Sequence, residues 1–501
     1  MLAAIAREAA RRFGDRPVVV APDGTLTYSE LDSHADRLAA GLLGRGVRAG
    51  DIVVVALQPG GDWLVAAVAI ARLAAVFGGV STVITASERH DLIEMIRPRL
   101  VLAHPDTVDG LPLRSDVAVL EVGGRGAPLA VDGQPPADPE HDDERPAAIC
   151  FTSGTTGRAK AALFRERHLR AIQEIDLGPE AEQTWGGGSP MLTSTQFAHV
   201  GMSTKFPWYL RVGATLHVMK RWRPDDALEL VAGERMPTVG VVAPQLALML
   251  RSPLMDQLDL SCVKGIIAGG APSPPALVME ARRRFDAGYS IRYSSTESGG
   301  VGLATAFDAP DHEALHTVGR PRPGVEVRIA DEGDAELPRN EVGELQLRSG
   351  AVMDGYLGDP EATAAALTDD GWLRTGDLAL IDDEGCVELR GRRTDMYIRG
   401  GYNVFPQEVE AALLDHPSVE DVVVVPHPDE VLGEIGVALV VPTDSEHPPT
   451  LDDLRGHCEG HLSRYKWPER LVSVKAIPLT TAQKVDRRAA TEMGAAELAD
   501  G

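Results

Sequence analysis

The sequence predicts an α/β fold in which helices pack on mostly parallel sheets. In the first hundred residues, stretches with apolar residues at helical spacing alternate with short, continuous apolar runs, a pattern typical of helical layers around a buried sheet. Later strands are separated by glycine-rich turns, and two of them alternate apolar and polar residues, which predicts a small antiparallel barrel or sheet. A chain of 501 residues is long enough for two or three domains.

The first elements follow from hydrophobic periodicity. Apolar residues at helical spacing within 29–49 predict one helix that ends near Gly44, and another helix is predicted over 62–73. The run at 51–57 is almost wholly apolar, which is typical of a strand buried on both faces. Residues 101–104 and 117–122 are predicted to form further strands. The segment that follows, as far as residue 147, is rich in Gly, Pro, Asp and Glu and predicts a long solvated loop.

The remaining elements fall into two groups. Strands are predicted at 239–243, 265–270, 325–329 and 344–347. Beyond residue 395 the pattern becomes a helix, two strands and a second helix, which are predicted at 406–414, 422–425, 437–441 and 451–462. About one hundred residues of alternating elements can form a separate compact domain.

Charge and composition exclude several classes of function. Lys and Arg total 49 against 74 Asp and Glu, so the formal net charge is −25, and we expect binding neither to nucleic acid nor to an anionic membrane. The four scattered cysteines indicate neither a disulfide framework nor a metal site. The N-terminus lacks the apolar core of a signal peptide, and the most apolar stretch, 63–80, contains Arg72, so we expect a buried helix and no membrane span. These features predict a cytoplasmic protein.

The most informative segment for chemistry is 152–157, with Lys160 shortly after it. Its small residues leave backbone N–H groups exposed and supply four hydroxyls, and the lysine adds a positive charge. Such a segment can curl around an anion, which predicts phosphate binding. It lacks the Gly-Lys-Ser/Thr ending of the nucleotide P-loop. On residue type alone, a flexible surface linker is the alternative.

Further motifs occur along nearly the whole chain. They begin at Leu26-Thr-Tyr-Ser-Glu-Leu and continue at 149–160, 293–297, 372–377, 391–410 and 478–484. On these motifs the chain resembles the acyl- and aryl-CoA synthetases of the adenylate-forming superfamily, which also includes luciferases and the adenylation domains of peptide synthetases. The resemblance implies a large N-terminal domain of layered α/β subdomains plus a small antiparallel barrel, and a small mobile α+β C-terminal domain.

The resemblance also implies a site for ATP, or for an acyl-adenylate, together with Mg²⁺. Thr296 would contact the α-phosphate, and Glu297 would hold the metal, which prefers oxygen ligands. Asp377 would accept hydrogen bonds from the ribose hydroxyls, and Arg392 would lie near the ribose and phosphate. The nucleotide-binding residues implied in this way are Thr152, Ser153, Gly154, Thr155, Thr156, Gly157, Lys160, Gly270, Ala271, Pro272, Tyr293, Ser294, Ser295, Asp377 and Arg392.

Members of this superfamily work in two steps separated by a domain rotation. The resemblance implies an N-terminal adenylate-forming domain over 1–391, a hinge over 392–395 at Thr394, and a mobile C-terminal domain over 396–501. In one orientation Lys484 would bridge the substrate carboxylate and the α-phosphate, where negative charge develops. In the other, Gly400 and Gly401 would approach the pantetheine chain of CoA. The implied catalytic residues are Lys484, His199, Thr296 and Glu297.

The segment from Phe197 to Gly201 resembles the family's motif at the acyl pocket. His199 would lie where the carboxylate, and later the thiol, approaches. Relatives that activate amino acids carry an Asp at the position of Ala198, so we expect an acid without an α-amine. The candidate pocket residues are Thr195, Phe197, Val200, Met202, Ser203, Pro244, Gln245 and Gly270. They are mostly apolar and include no cation for a second carboxylate, which favours an apolar aryl, alicyclic or medium-chain acid over malonate.

Departures from the family's pattern leave alternatives open. Gly or Pro is replaced at Ala159, Ala161, Ser294 and Gln483, and Thr394 replaces the usual Asp or Lys of the hinge. A β-carbon at Ala161 could shift the phosphate loop, and phosphoryl transfer is sensitive to position. The favoured reading is a full acyl-CoA ligase. The alternatives are an enzyme with weak or lost adenylation that thioesterifies a preformed acyl-adenylate, and, least favoured, a non-catalytic adenylate- or CoA-binding regulator. CoA is preferred to a carrier protein as acceptor, and no obligatory protein partner is evident.

One further motif is typical of a different class of enzyme. The segment from His312 to His316 matches the zinc-protease pattern HExxH. That site needs a helix that turns both imidazoles to one side. Pro310 and Gly319 bracket the segment too closely for a long helix, so we expect no zinc here.

Overall fold

A computed structural model of the chain describes residues 1–22, 24–104, 107, 117–122, 136–152, 159–193, 196–219, 221–270, 273–400, 402–459, 461–480 and 485–500. It confirms the mixed α/β fold. The chain divides into two compact units, a larger one of Met1–Val327 with Leu347–Arg374, and a smaller one of Arg328–Gln346 with Thr375–Gly501. The domain boundary predicted at residue 391 and the hinge at Thr394 concern a rotation, and they stay predictions.

Most strands are short, and the two longest lie in the smaller unit. In chain order they are β1 (Pro17–Ala21), β2 (Gly24–Thr27), β3 (Ile52–Ala56), β4 (Val76–Gly79), β5 (Leu100–Ala103), β6 (Ala118–Glu121), β7 (Pro146–Thr152), β8 (Lys160–Arg165), β9 (Pro190–Thr193), β10 (Thr215–Val218), β11 (Thr238–Val241), β12 (Gly265–Gly269), β13 (Gly288–Tyr293), β14 (Leu303–Ala304), β15 (Arg320–Pro321), β16 (Glu326–Ala330), β17 (Gly343–Arg348), β18 (Gly355–Tyr356), β19 (Leu373–Ile381), β20 (Val387–Arg392), β21 (Tyr397–Arg399), β22 (Tyr402–Val404), β23 (Val419–Asp429), β24 (Gly433–Pro442) and β25 (Arg470–Ser473).

The helices alternate with these strands through most of the chain. They are α1 (Leu2–Phe13), α2 (Tyr28–Gly44), α3 (Gly61–Arg72), α4 (Ala86–Ile96), α5 (Glu166–Leu177), α6 (Val200–Ser203), α7 (Phe206–Val212), α8 (Pro224–Gly233), α9 (Ala243–Arg251), α10 (Pro275–Phe285), α11 (Asp311–His316), α12 (Pro360–Ala366), α13 (Pro406–Leu414), α14 (Leu451–Cys458) and α15 (Arg487–Asp500). None of those described is both long and apolar enough to cross a lipid bilayer.

The main sheet of the larger unit has the strand order β18-β8-β7-β4-β3-β5-β6. Strands β7, β4, β3, β5 and β6 run parallel, and β8 and β18 add an antiparallel edge. The run 51–57 becomes β3, whose residues Val53 to Ala56 are fully buried. Strands buried on both faces in this way are typical of parallel sheets covered by helices.

Two further sheets complete the larger unit. One has the order β11-β12-β13-β14-β15, with its first three strands parallel, and it packs on a core that includes Val239, Ile266 and Tyr289. The other has the order β2-β1-β10-β9. Parallel strands linked by helices place their carboxyl ends at one edge, where α/β proteins bind ligands.

The small barrel expected from the sequence is an open sheet. Strands β16, β17, β19 and β20 follow one another in a linear order, and among the described residues no pairing closes β16 onto β20. Four strands are too few to close around a core of side chains. The sheet places Asp377 of β19 opposite Arg392 of β20.

The smaller unit also contains an α+β layer. The long antiparallel pair β23–β24 is flanked by β25 and by the hairpin β21–β22. Helices α13 and α14 cover a core that includes Val409, Val422 and Leu454. This arrangement confirms the predicted small C-terminal α+β fold. Helix α11, which carries the HExxH residues, has six residues, and Glu313 forms an ion pair with Arg320 at 3.2 Å.

Candidate active site

The predicted phosphate loop connects two paired strands of the main sheet. Strand β7 ends at Thr152 and β8 begins at Lys160, and these two residues are partners in the antiparallel register. The connection therefore leaves the sheet at the carboxyl end of β7, which is parallel to β4. Ligands of open α/β sheets bind outside this end of the strands. The predicted residues Ser153, Gly154, Thr155, Thr156 and Gly157 lie outside the described residues.

The departure at Ala161 has a simple structural reason. Ala161 pairs with Phe151 inside the β7–β8 ladder, and it is 2% exposed. Its methyl group belongs to a hydrophobic cluster with Val54, Val76 and Ile149. The side chain thus fills the core of the sheet, and the adjacent Lys160 lies on the opposite face, because successive side chains of a strand alternate.

The second motif forms a compact turn directly after β13. Tyr293 ends the strand, and Ser294 is exposed. The turn is closed by reciprocal hydrogen bonds, in which the backbone N–H of Ser295 donates to Ser298 Oγ at 2.9 Å and the N–H of Ser298 donates to Ser295 Oγ at 3.1 Å. Thr296 and Glu297, at the centre of the turn, are half-buried. Their side chains are therefore presented at the edge of the sheet by a backbone that its own hydroxyls hold in place.

Tyr356 connects the two motifs, and sequence reasoning missed it. Its hydroxyl donates a hydrogen bond to Glu297 Oε1 at 2.8 Å, and Lys160 Nζ lies 4.9 Å from its ring centroid. The backbone N–H of Met353 donates to the Glu297 carbonyl at 2.8 Å. Burial and the neighbouring Glu297 carboxylate raise the pKa of Tyr356, so the phenol stays a donor. A lone tyrosine nearly 60 residues from its partner gives no spacing signal in the sequence.

The donors at this turn fit a magnesium ion that binds together with a triphosphate. Mg²⁺ is usually held by one or two carboxylates, with substrate phosphates and water completing the shell. Glu297 supplies one such carboxylate, and only one of its oxygens accepts from Tyr356. Within the described part of the chain, no group of three or more His, Cys, Asp or Glu could hold a metal by itself.

The acyl motif is anchored in an aromatic cluster of the larger unit. Phe197 is 1% exposed, and its ring packs edge-on against Trp63 at a centroid distance of 5.3 Å. Ser203 Oγ donates to the Phe197 carbonyl at 3.0 Å, and Met202 is also buried. His199 precedes α6 and is exposed, and Val200 is half-buried. The buried members hold the segment, while His199 faces outward.

The other predicted pocket residues lie on separate elements. Gly270 directly follows β12 with a φ of +77°, a conformation that favours glycine. Pro244 and Gln245 form the first turn of α9, where Gln245 Oε1 accepts from the backbone N–H of Val242 at 3.3 Å. Gln245 therefore closes the start of its own helix. The predicted residues Thr195, Ala271 and Pro272 lie outside the described residues.

The smaller unit brings the ribose motif and the basic motif together. Arg392 Nε donates to Asp377 Oδ1 at 2.9 Å. Two hydrogen bonds hold the backbone that carries the Asp377 side chain. The Asp377 N–H donates to Thr375 Oγ1 at 3.1 Å, and the N–H of Gly376 donates to Glu344 Oε1 at 3.0 Å. Gly376 has a φ of +74°, which a side chain would disfavour. Two predicted nucleotide residues, on neighbouring strands β19 and β20, thus form one charged pair.

The predicted hinge and the CoA-binding residues also belong to the smaller unit. Thr394 is exposed, and its hydroxyl donates to Asp395 Oδ1 at 3.2 Å. Gly400 has a φ of +56°, and its N–H donates to the Leu432 carbonyl at 2.8 Å. Gly401 and Lys484 lie outside the described residues.

Comparison with known proteins identifies the family. Residues 6–357 match the family model described as AMP-binding enzyme, and residues 408–484 match that of the AMP-binding enzyme C-terminal domain. The chain is similar to an indoleacetate–CoA ligase of Aromatoleum aromaticum (31% identity, 93% of this chain, 92% of that protein). It is also similar to a methyl-dioxo-octahydroindenyl-propanoyl:CoA ligase of Rhodococcus jostii (32% identity, 96% of both proteins). The crystal structure of ATP-bound MatB from Rhodopseudomonas palustris superimposes with a TM-score of 0.88 at 25% identity, over 98% of this chain and 99% of that one.

The fold, together with these similarities, defines the class of adenylate-forming enzymes. The chain belongs to the AMP-binding enzyme family, and within it to the acyl-CoA synthetases of the adenylate-forming superfamily, which are acid–thiol ligases.

Proposed function

We propose that the protein activates a carboxylic acid without an α-amino group as an acyl-adenylate and transfers the acyl group to CoA. The observation that carries this proposal is the contact of both phosphate-binding motifs with Tyr356. Its ring lies beside the cation of Lys160, and its hydroxyl bonds to the carboxylate of Glu297. A cation and a metal-binding carboxylate held on either side of one rigid side chain suit a polyphosphate, which needs both.

In the first step, a carboxylate oxygen of the acid attacks the α-phosphorus of ATP. The new P–O bond forms the acyl-adenylate, and the bond to the β-phosphate breaks, releasing pyrophosphate. Lys160 holds the outer phosphates, Thr296 contacts the α-phosphate, and Lys484 stabilises the charge that develops there. Asp377 and Arg392 bind the ribose. Glu297 would hold Mg²⁺, which would neutralise phosphate charge when bound.

In the second step, the thiol of CoA attacks the carbonyl carbon of the mixed anhydride. The C–S bond forms, AMP leaves with the electron pair of the C–O bond, and the thiol proton is lost. A rotation about Thr394 replaces Lys484 by the strand of Gly400 and Gly401 beside the acceptor. Such a hinge motion needs only a few residues that absorb the change in backbone angles.

Ala198 supports a substrate without an α-amine. It supplies a methyl group at the position where a carboxylate would be needed to pair with the α-ammonium group of an amino acid. Ala198 also packs against Gly79, where an added β-carbon would lie 3.1 Å from Ala198 Cα. The names of both ligase relatives describe acids without an amine, joined to CoA. The four free cysteines agree with the cytoplasmic location that forms part of the proposal.

The alternative enzyme, which only thioesterifies a preformed acyl-adenylate, depended on a distorted phosphate loop. Ala161 was the main reason to expect that distortion. Its methyl group lies in the core of the sheet and not on the face of Lys160. This placement favours the full ligase over the alternative, and over a non-catalytic regulator.

The test supplies purified protein with a panel of carboxylic acids and MgATP, and follows pyrophosphate release and acyl-CoA formation in parallel. The same acids are offered as preformed acyl-adenylates with CoA. The proposal expects pyrophosphate and thioester in equal amounts from ATP. Thioester from the adenylates alone would establish the alternative, and no turnover with either would favour the regulator.

A further inference from the structure

A buried charge cluster lies at the C-terminal end of α5. Asp176 accepts from Lys205 Nζ at 2.9 Å through one carboxylate oxygen and from Arg322 Nη1 at 2.5 Å through the other. Burial raises the pKa of Asp176, but the two cations lower it by more, so this carboxyl is ionised. One negative charge therefore faces two positive charges.

Arg292 adds a third positive charge to this cluster. Burial and the positive charge of Arg322 lower the pKa of its guanidinium, and Asp176 opposes them. The Arg292 side chain has no hydrogen-bond or ion-pair partner among the described residues. Three cations thus share one carboxylate, inside a protein whose overall charge is −25. A half-buried cation without a counter-ion is costly, since like charges repel strongly where water is scarce.

The cluster lies beside the predicted acyl segment. Lys205 follows α6 by two residues, and a β-carbon built on Gly300 would lie 3.8 Å from Lys205 Cε and 3.6 Å from the Val200 side chain. Arg292 immediately precedes Tyr293 and pairs with Gly269 in the register of β12 and β13. The positive charges therefore belong to segments that adjoin Val200, Gly269 and the acidic turn.

We propose that the acid substrate carries a second anionic group, a carboxylate, which pairs with Arg292 and Lys205 while the first carboxylate is activated. This inference rests on the proposed function and narrows its substrate class. Arg292 and Lys205 would be specificity-determining residues, with Arg322 and Asp176 positioning Lys205. A guanidinium can bind a carboxylate through two parallel hydrogen bonds.

This substrate differs from the apolar acid that the sequence favours. The acyl motif and the two short segments that supply the predicted pocket residues contain no cation at those positions. Lys205, Arg292 and Arg322 come from three separate elements, and only the fold brings them around Asp176. An apolar tail at this place would leave the excess positive charge uncompensated.

The test uses acids of equal length that differ only at the far end. Adipate, its monomethyl ester and hexanoate are compared by pyrophosphate release with the full-length protein, MgATP and CoA. We expect kcat/KM for adipate to exceed that of the ester and of hexanoate by about 10- to 100-fold. The Arg292→Gln variant should lose that preference, so that its kcat/KM for adipate is no higher than its kcat/KM for the ester. The matched control Arg282→Gln, which alters a cation paired with Asp311 in the same unit, should keep the preference.

A stability measurement separates this role from a structural one. Because Arg292 has no hydrogen-bond or ion-pair partner in the part of the chain that the structure describes, Arg292→Gln should leave Tm unchanged or raise it by about 2 °C. Adipate should raise the Tm of the parent protein but not of the variant. Equal or better use of monoacids by the parent protein would overturn the inference and leave the ligase function standing. A lower Tm of the variant would also overturn it. No turnover with any acid would overturn the proposed function and the inference together.

Discussion

Replacing Tyr356 by phenylalanine tests the link between the two phosphate motifs. The substitution removes one hydroxyl and leaves the ring that faces Lys160. Tyr356 is 8% exposed, and its hydroxyl donates to Glu297 Oε1 at 2.8 Å. A hydrogen bond to a charged group contributes about 1.5–3 kcal/mol, and because Glu297 is only half-buried, water replaces part of it. We therefore take about 1.5 kcal/mol, which corresponds to about tenfold in rate.

The two half-reactions should respond differently. Glu297 acts only while pyrophosphate is still attached, so acyl-adenylate formation, measured as isotope exchange between pyrophosphate and ATP, should fall about tenfold in Tyr356→Phe. Thioester formation from a preformed acyl-adenylate should change less than about twofold. A general loss of folded protein would lower both rates equally and leave their ratio unchanged. A changed ratio therefore indicates that Tyr356 positions Glu297.

Tyr28→Phe is the matched control. Tyr28 is 1% exposed, and its hydroxyl donates to the Ala214 carbonyl at 2.7 Å, away from the predicted site residues in sequence. Its loss should reduce stability by about 1 kcal/mol and leave the ratio of half-reactions unchanged. If Tyr356→Phe slows both half-reactions equally, or neither, Tyr356 does not position Glu297.

Three further substitutions have defined outcomes. Ala161→Gly should lower the free energy of unfolding by about 1 kcal/mol in urea titrations, without increasing adenylation, because the methyl group fills the core; a tenfold gain in pyrophosphate exchange would contradict this. Asp377→Asn, which breaks the pair with Arg392, should raise the KM for ATP about tenfold and change kcat less, and an unchanged KM would remove Asp377 from the nucleotide site. Burial, with a smaller effect of Arg167, lowers the pKa of His168 from 6.5 to about 4. The contribution of the neutral imidazole to stability is therefore complete above pH 6.5 and is lost as the pH falls towards 4. In His168→Gln the free energy of unfolding should depend less on pH in that window, and an unchanged slope would contradict the lowered pKa of His168.

Local sequence patterns predicted correctly those helices whose ends are marked by residues within the helix or next to it. The helix predicted over 406–414 forms with those bounds, and the one predicted over 62–73 forms as Gly61–Arg72, because burial periodicity and flanking Pro or Gly mark both. The helix predicted within 29–49 to end near Gly44 ends at Gly44, where the backbone turns through Arg45 and Gly46.

Pairing between strands explains most of the differences between the predicted and the observed bounds of the elements. Strand β23 runs over Val419–Asp429, much longer than the predicted 422–425, because β24 pairs with it past two prolines that read as strand breakers. The helix predicted over 451–462 ends at Cys458. Alternation predicted a small barrel or a sheet, and the strands form an open sheet. Alternation within one strand cannot decide between the two, because edge pairing is a property of the whole sheet.

In the candidate site, too, the sequence predicted residues within local motifs but not contacts between distant residues. Motif residues such as Lys160, Glu297, Asp377 and Arg392 could be named from the sequence, and the structure pairs the last two directly. Tyr356 could not be named, because its role comes from a contact with a residue distant in the chain. The cations around Asp176 were missed for the same reason.

The central claim, that ATP is used to form an acyl-adenylate, is tested most directly by following oxygen. An accepted acid labelled with ¹⁸O in its carboxylate is turned over with MgATP and CoA, and the products are analysed by mass spectrometry. Attack of the carboxylate on the α-phosphorus predicts one ¹⁸O atom in each AMP and none in pyrophosphate. Label in pyrophosphate, formation of ADP, or unlabelled AMP would contradict the account.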